Sequence, residues 1–189
     1  MSDIAFLTQA GYLTIKAPEP GETFLLDYPN LEVRRSMALL YTEQLLDGRV
    51  PGQVGAGPIV EALSEGPLEF VVFVLNQFFL AIDCQKYLVK DEATLRAYVQ
   101  VYFSAAGLEV EAEPEDDRRN ELKVKVGGRE WIFDFRIVKA LKDASEHNVD
   151  ADKHMEKIHP RDQDDRRDSR KVRLVFATGA RQFVQWLED

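Results

Sequence analysis

The sequence predicts an α/β (α+β) fold in which helices lead and a mixed sheet follows, and three observations carry that prediction. Two apolar segments, Leu68 to Ile82 and Asp91 to Ala106, repeat at helical spacing, the first entered through Pro67 and the second closed by Gly107. Two alternating segments, Glu121 to Val126 and Glu130 to Ile137, are split by Gly127-Gly128. After a further helical stretch the chain returns to strand character at Lys171 to Thr178.

Taken in order, the chain opens with two short strands, Tyr12 to Lys16 and Thr23 to Tyr28, separated by a turn over Pro18 to Gly21. Asn30 then caps a helix with apolar positions at Leu31, Met37, Leu40, Leu45 and Leu46. The Gly/Pro-rich stretch from Gly48 to Pro58 reads as an internal linker. Two helices follow, Ile59 to Ser64 and Leu68 to Ile82, with Pro67 suited to the first turn of the second. A third runs from Asp91 to Ala106 and stops at Gly107, a natural C-terminal cap. From Leu108 the pattern becomes three consecutive strands, Leu108 to Glu113, Glu121 to Val126 and Glu130 to Ile137. A helix over Val138 to Ile158, broken near Asn148, leads to the strand Lys171 to Thr178, and Gln182 to Leu187 alternates as an edge strand would. The expected division is a strand and helix region over 1–57, then a helical lead-in and sheet over 58–189.

With 189 residues, 45% of them hydrophobic, the chain is long enough to bury a substantial core. The strongest apolar run, Phe70 to Ile82, contains Asn76 and Gln77 and falls short of the roughly 20 residues a membrane span needs, so it reads as a buried helix. A single cysteine, Cys84, excludes an internal disulfide and any multi-cysteine zinc site, which suits a reducing compartment. No charged-then-apolar leader is evident at the N-terminus, so the expectation is a soluble, cytoplasmic protein without a membrane partner.

The chemistry concentrates in NELKVKVGGREWIFDFR, Asn120 to Arg136. Side chains two apart on a strand share a face, so Trp131, Phe133 and Phe135 form one face while Ile132, Asp134 and Arg136 form the other. On the preceding strand Leu122, Val124 and Val126 oppose Glu121, Lys123 and Lys125. Gly127-Gly128 supplies the positive φ angles of a tight hairpin. Were Glu121 and Asp134 to converge, two carboxylates would offer the hard oxygen ligands that Mg²⁺ or Mn²⁺ prefer, and such an ion activates water beside a phosphate. The same charges also suit the solvated face of an antiparallel sheet.

Four segments, FLTQAGYLTIK (Phe6 to Lys16), YPNLEVRRS (Tyr28 to Ser36), Glu111 to Arg136 and KVRLVFATGARQFVQWLED (Lys171 to Asp189), resemble in order the C-terminal region of bacterial AAA-ATPase-like proteins that carry a PD-(D/E)XK nuclease-superfamily domain. The resemblance implies an αβββαβ restriction-endonuclease-like core with a mixed sheet. It places Glu121 at the family's aspartate, Asp134 at its glutamate and Arg136 at its lysine, and it makes Glu121 and Asp134 the metal ligands. Related nucleases also place an acidic group where Glu92 stands. The partners it implies are DNA and an AAA-ATPase-like module in the same or a neighbouring chain.

Two departures bear on activity. The carboxylate lengths are exchanged, and arginine replaces lysine, a broad and permanently charged fork in place of a compact ammonium whose proton affinity can be tuned. A net charge of −9, a pI of about 4.9 and the acidic run Glu111, Glu113, Glu115, Asp116 and Asp117, offset by Arg118 and Arg119, oppose a phosphate backbone. Two expectations therefore stand: a degenerate domain, weak or inactive in cleavage, that binds or regulates, and an active Mg/Mn-dependent nuclease acting on DNA.

The remaining residues that invite a functional reading also have a plain one. Glu92 is equally a first-turn carboxylate favoured by the helix dipole. His147, His154 and His159 lack the i, i+4 pairing of a zinc helix and read as surface residues. The stretch His159 to Arg173 carries six basic and four acidic residues and reads as a solvated loop. Cys84 reads as a small apolar filler. No G-x-x-x-x-G-K-[ST] loop occurs in the chain, so no ATP site is expected in it.

Overall fold

The structure, a computed structural model, describes residues 3–19, 23–111, 121–139 and 169–188. Its elements are α1 (Asp3–Gln9), β1 (Thr14–Glu19), β2 (Thr23–Asp27), α2 (Leu31–Leu45), a 3₁₀ turn (Pro51–Val54), α3 (Ile59–Ser64), α4 (Leu68–Ala81) and α5 (Glu92–Ala105). The strands β3 (Glu109–Glu111), β4 (Glu121–Val126), β5 (Arg129–Val138), β6 (Ser169–Ala177) and β7 (Gln182–Glu188) complete it. These five form one mixed sheet in the order β3-β4-β5-β6-β7, in which only the β5–β6 pair is parallel. The sequence expectation of a mixed α+β fold is met at this level.

Alternation decides what the sheet buries. Leu122 and Val124 of β4, Trp131, Phe133 and Phe135 of β5, and Val172, Leu174 and Phe176 of β6 all face the helices and lose essentially all solvent contact. Each such side chain contributes about 1.5–3 kcal/mol by burial. Ring contacts bind the layers together: Phe103 of α5 meets Phe133 at 5.8 Å, Phe79 of α4 meets Phe176 at 4.9 Å, and Phe78 stacks on Tyr102 at 4.3 Å. The polar tips of two buried rings find backbone acceptors, Trp131 Nε1 donating to Leu63 O at 3.0 Å and the Tyr102 hydroxyl to Ala56 O.

The helix ends follow their sequence signals. Asn30 Oδ1 accepts from Val33 N at 2.9 Å to start α2, and Asp91 Oδ1 accepts from Thr94 N at 2.7 Å to start α5. Gly107, at φ +83°, closes α5 in the left-handed conformation. At the end of α4 the cap comes from far away: Nη2 of Arg181, itself at φ +57°, lies within hydrogen-bond distance of Ile82 O at 2.6 Å, Phe79 O at 3.0 Å and Leu80 O at 3.2 Å and shares its two hydrogens among them. Arg181 sits in the turn between β6 and β7, so this fork ties the helical layer to the sheet.

Several expectations need correction. The segment before Tyr12 is helical, as α1, although no face of it is buried. Pro18 and Glu19 extend β1 rather than turning, opposite Phe24 and Thr23. On α2 the buried positions are Ala38, Thr42 and Leu45, while Leu31 and Leu40 are exposed, because the helix turns its small residues toward α5. The stretch from Gly48 to Pro58 is packed, not strung out: it contains the 3₁₀ turn and places Ala56 in the same core as α3, α4 and α5. Val138, expected to open a helix, closes β5, since the parallel ladder to β6 runs through Val138 and Ala177. The rest of that expected helix, the three histidines and the acidic run from Glu113 to Arg119 lie outside the described residues.

Among the described residues no helix is long and apolar enough to cross a membrane, and the Phe70 to Ile82 segment is the buried helix expected of it.

Candidate functional site

The hairpin turn sets the geometry of the site. Gly127 and Gly128 take φ +58° and +81°, which fixes Val126 opposite Arg129 and, five pairs on, Glu121 opposite Asp134. The two carboxylates therefore leave adjacent strands on the same face, the one turned away from α3, α4 and α5. Asp134 is only 7% exposed, one of the few buried charged groups among the described residues.

The parallel strand β6 completes the constellation. Its register sets Arg173 beside Asp134 and Lys171 beside Ile132, on that same face. Arg173 Nε donates to Asp134 Oδ2 at 2.9 Å, and Arg136 Nη2 approaches the same oxygen at 3.5 Å. Lys171 Nζ donates to Glu121 Oε1 at 2.9 Å. Because Lys171 and Glu121 belong to the strands on either side of β5, their side chains meet across it. A carboxylate as covered as Asp134 is costly to keep ionised without a partner, and the guanidinium of Arg173 is what makes its burial tolerable.

Glu92 reaches β5 by a different route. Among the described residues the β4–β5 pairing runs from Val126 opposite Arg129 to Glu121 opposite Asp134, and Ile137 lies three residues further along β5. Glu92 Oε1 accepts from Ile137 N at 3.3 Å and so satisfies a backbone donor of β5 from the first turn of α5. Its observed partner is backbone, one residue from Arg136.

Among the described residues both carboxylates are engaged by basic side chains. Glu121 and Asp134 each hold a cation at 2.9 Å. Among the described residues no group of three or more His, Cys, Asp or Glu side chains gathers to hold a metal, so Glu92 does not complete one with Glu121 and Asp134. No family model and no curated protein matches the chain. The site thus rests on its own geometry, which is that of a five-membered charge cluster: two acids, Glu121 and Asp134, with three bases, Arg136, Lys171 and Arg173.

Lys171 and Arg173 are the members that sequence reading missed. Their signal was present, since Lys171, Arg173 and Val175 alternate with the buried Val172, Leu174 and Phe176. Alternation assigns them one face of a strand. It does not say which strand lies alongside, or in what register.

Proposed function

We propose that this chain is a degenerate PD-(D/E)XK nuclease-like domain, weak or silent in metal-dependent phosphodiester cleavage, that acts as a binding or regulatory module. The observation that supports this most directly is that both carboxylates are already engaged by bases, Glu121 by Lys171 at 2.9 Å and Asp134 by Arg173 at 2.9 Å and Arg136 at 3.5 Å. For either acid to bind Mg²⁺ or Mn²⁺, its basic partner must first be displaced. Arg136, where the family motif calls for lysine, stays protonated and serves phosphate contact rather than proton transfer. The order α5, β3, β4, β5, β6 supports the restriction-endonuclease-like core.

In this reading the domain is cytoplasmic and its partner is an AAA-ATPase-like module in the same or a neighbouring chain. Exposed Ile4, Phe6, Ile15, Phe24 and Leu25 on α1 and the β1–β2 hairpin support a partner of some kind, since a two-stranded sheet is marginal alone. DNA is the second partner the reading admits, through Arg136, whose side chain is 47% exposed. The net charge of −9 limits such binding to low salt.

One observation favours the competing reading, an active Mg/Mn-dependent nuclease acting on DNA. Lys171 brings to this face the ammonium that position 136 lacks. The two separate in a cleavage assay on single- and double-stranded DNA and on RNA with Mg²⁺ or Mn²⁺, run beside Asp134→Ala and Arg136→Lys. The degenerate reading expects the parent to cleave no faster than Asp134→Ala. Cleavage by the parent that Asp134→Ala abolishes establishes the enzyme instead.

A further inference from the structure

A second polar cleft lies away from the charge cluster, along the seam where α2 packs on α5. Two lobes of about 360 Å³ and 310 Å³ adjoin there and share Arg34 and Ser104 in their walls. The seam opens because Ala38 of α2 and Ser104 of α5 are small where the two helices face one another. The larger lobe is walled by Tyr28, Met37, Tyr41 and Val110, with Gln100 contributing an amide. A volume of this size lies within the range of small-molecule sites, roughly 300–1,000 Å³.

Arg34 stands where the lobes meet and is held in place. Its Nη2 donates to Asp27 Oδ1 at 2.7 Å, that carboxylate is fixed by Tyr28 N at 2.8 Å, and the guanidinium lies 6.0 Å from the Tyr28 ring centre. Lys16, 3.8 Å from Asp27, shares the carboxylate's charge, and Glu32 and Glu109 line the smaller lobe with Arg34 and Arg35. Among the described residues the Nε and Nη1 donors of Arg34 have no acceptor. Arg35 lines the smaller lobe and packs over Gly107, whose added Cβ would come within 3.1 Å of the guanidinium carbon. A preorganised fork with spare donors selects a planar or tetrahedral anion, and tyrosine and methionine walls select a flat apolar body.

We infer that this cleft binds a small organic anion carrying a planar ring, the ring in the tyrosine-lined lobe and the carboxylate or phosphate on Arg34. Ser104 and Gln100 supply the neutral hydrogen bonds that orient it. The site is independent of the charge cluster and of the nuclease-like reading.

Calorimetric titration of the whole chain with AMP, adenosine and inorganic phosphate tests this, because AMP alone carries both ring and charge. Saturable AMP binding is expected, with adenosine and phosphate each weaker by about tenfold or more. Arg34→Gln is expected to weaken AMP about tenfold or more, and Gln100→Ala, at the wall and not in the core, to weaken it by a smaller factor. Thermal melts of both variants certify the fold. Absence of saturable AMP binding overturns the inference, and so does AMP binding to folded Arg34→Gln with undiminished affinity.

Discussion

Glu121 and Asp134 stand directly opposite one another on β4 and β5, yet each accepts a 2.9 Å hydrogen bond from β6, Glu121 from Lys171 and Asp134 from Arg173. The third strand thereby gives each carboxylate a basic partner. Stability is the first consequence. Asp134→Asn leaves Arg173 and Arg136 facing each other without a counter-charge and is expected to cost about 2–3 kcal/mol, below the usual figure for a fully buried pair because Arg173 retains 23% side-chain exposure. Urea unfolding of Asp134→Asn, Arg173→Gln and the double variant is expected to give a coupling energy of about 1–2 kcal/mol. Additive losses would show that the two groups do not act as a pair.

Removal of the ammonium is expected to uncover metal affinity. Lys171→Ala frees Glu121 beside Asp134, and Mn²⁺ on the order of 1 mM is then expected to raise the melting temperature of the variant while leaving the parent unchanged. Chelator is expected to return the variant, and only the variant, to its metal-free value. An equal Mn²⁺ response in the parent contradicts the engagement of Glu121 by Lys171.

Arg181 lends itself to a test that separates two opposing effects. Its Nη2 lies within hydrogen-bond distance of three carbonyls at the end of α4, while its own φ of +57° is unfavourable for a side chain. Arg181→Ala loses the cap and keeps the strain, a cost of about 1.5–3 kcal/mol. Arg181→Gly loses the cap but relieves the strain, so it is expected to be more stable than the alanine variant by about 1 kcal/mol. Equal stability of the two variants argues against backbone strain at this position.

Thr42 points the other way. Its side chain on α2 is fully buried, and among the described residues Oγ1 has no hydrogen-bond partner. Thr42→Val removes an unsatisfied polar atom with little change of shape and is expected to stabilise the fold by about 1 kcal/mol. A loss in the melting temperature would mean that the hydroxyl is satisfied in solution.

Acid sensitivity is expected at the base of the α2–α5 cleft. Burial alone would raise the Asp27 carboxyl, but the hydrogen bonds from Tyr28 N and Arg34, with the charges of Arg34 and Lys16, hold it below its ordinary value of 3.8. A group depressed in the folded state contributes its stabilisation above the unfolded value and loses it as pH falls through the folded one. The contribution of Asp27 is therefore intact above about pH 4 and disappears in more acidic solution. Asp27→Asn is expected to be less stable than the parent at pH 6, with the difference shrinking toward pH 3. A gap that persists unchanged at pH 3 assigns the effect to packing.

Local chemistry made much of this protein legible. Asn30, Asp91 and Gly107 bound their helices where the sequence places them, since a cap is an interaction within a few residues. Gly127-Gly128 determined even the pairing of Glu121 with Asp134, because a two-residue turn leaves one register open to the strands that leave it. The exposed Leu31 and Leu40 show where local reading fails: which side of α2 is buried depends on α5, some 60 positions later.

The sequence by itself therefore determined most of the elements, the two faces of the β4–β5 hairpin and the meeting of two acids across it. Only the tertiary structure decided what those acids do, because Lys171 and Arg173 arrive on a parallel strand whose neighbour and register are set by packing over the whole sheet and not by any turn.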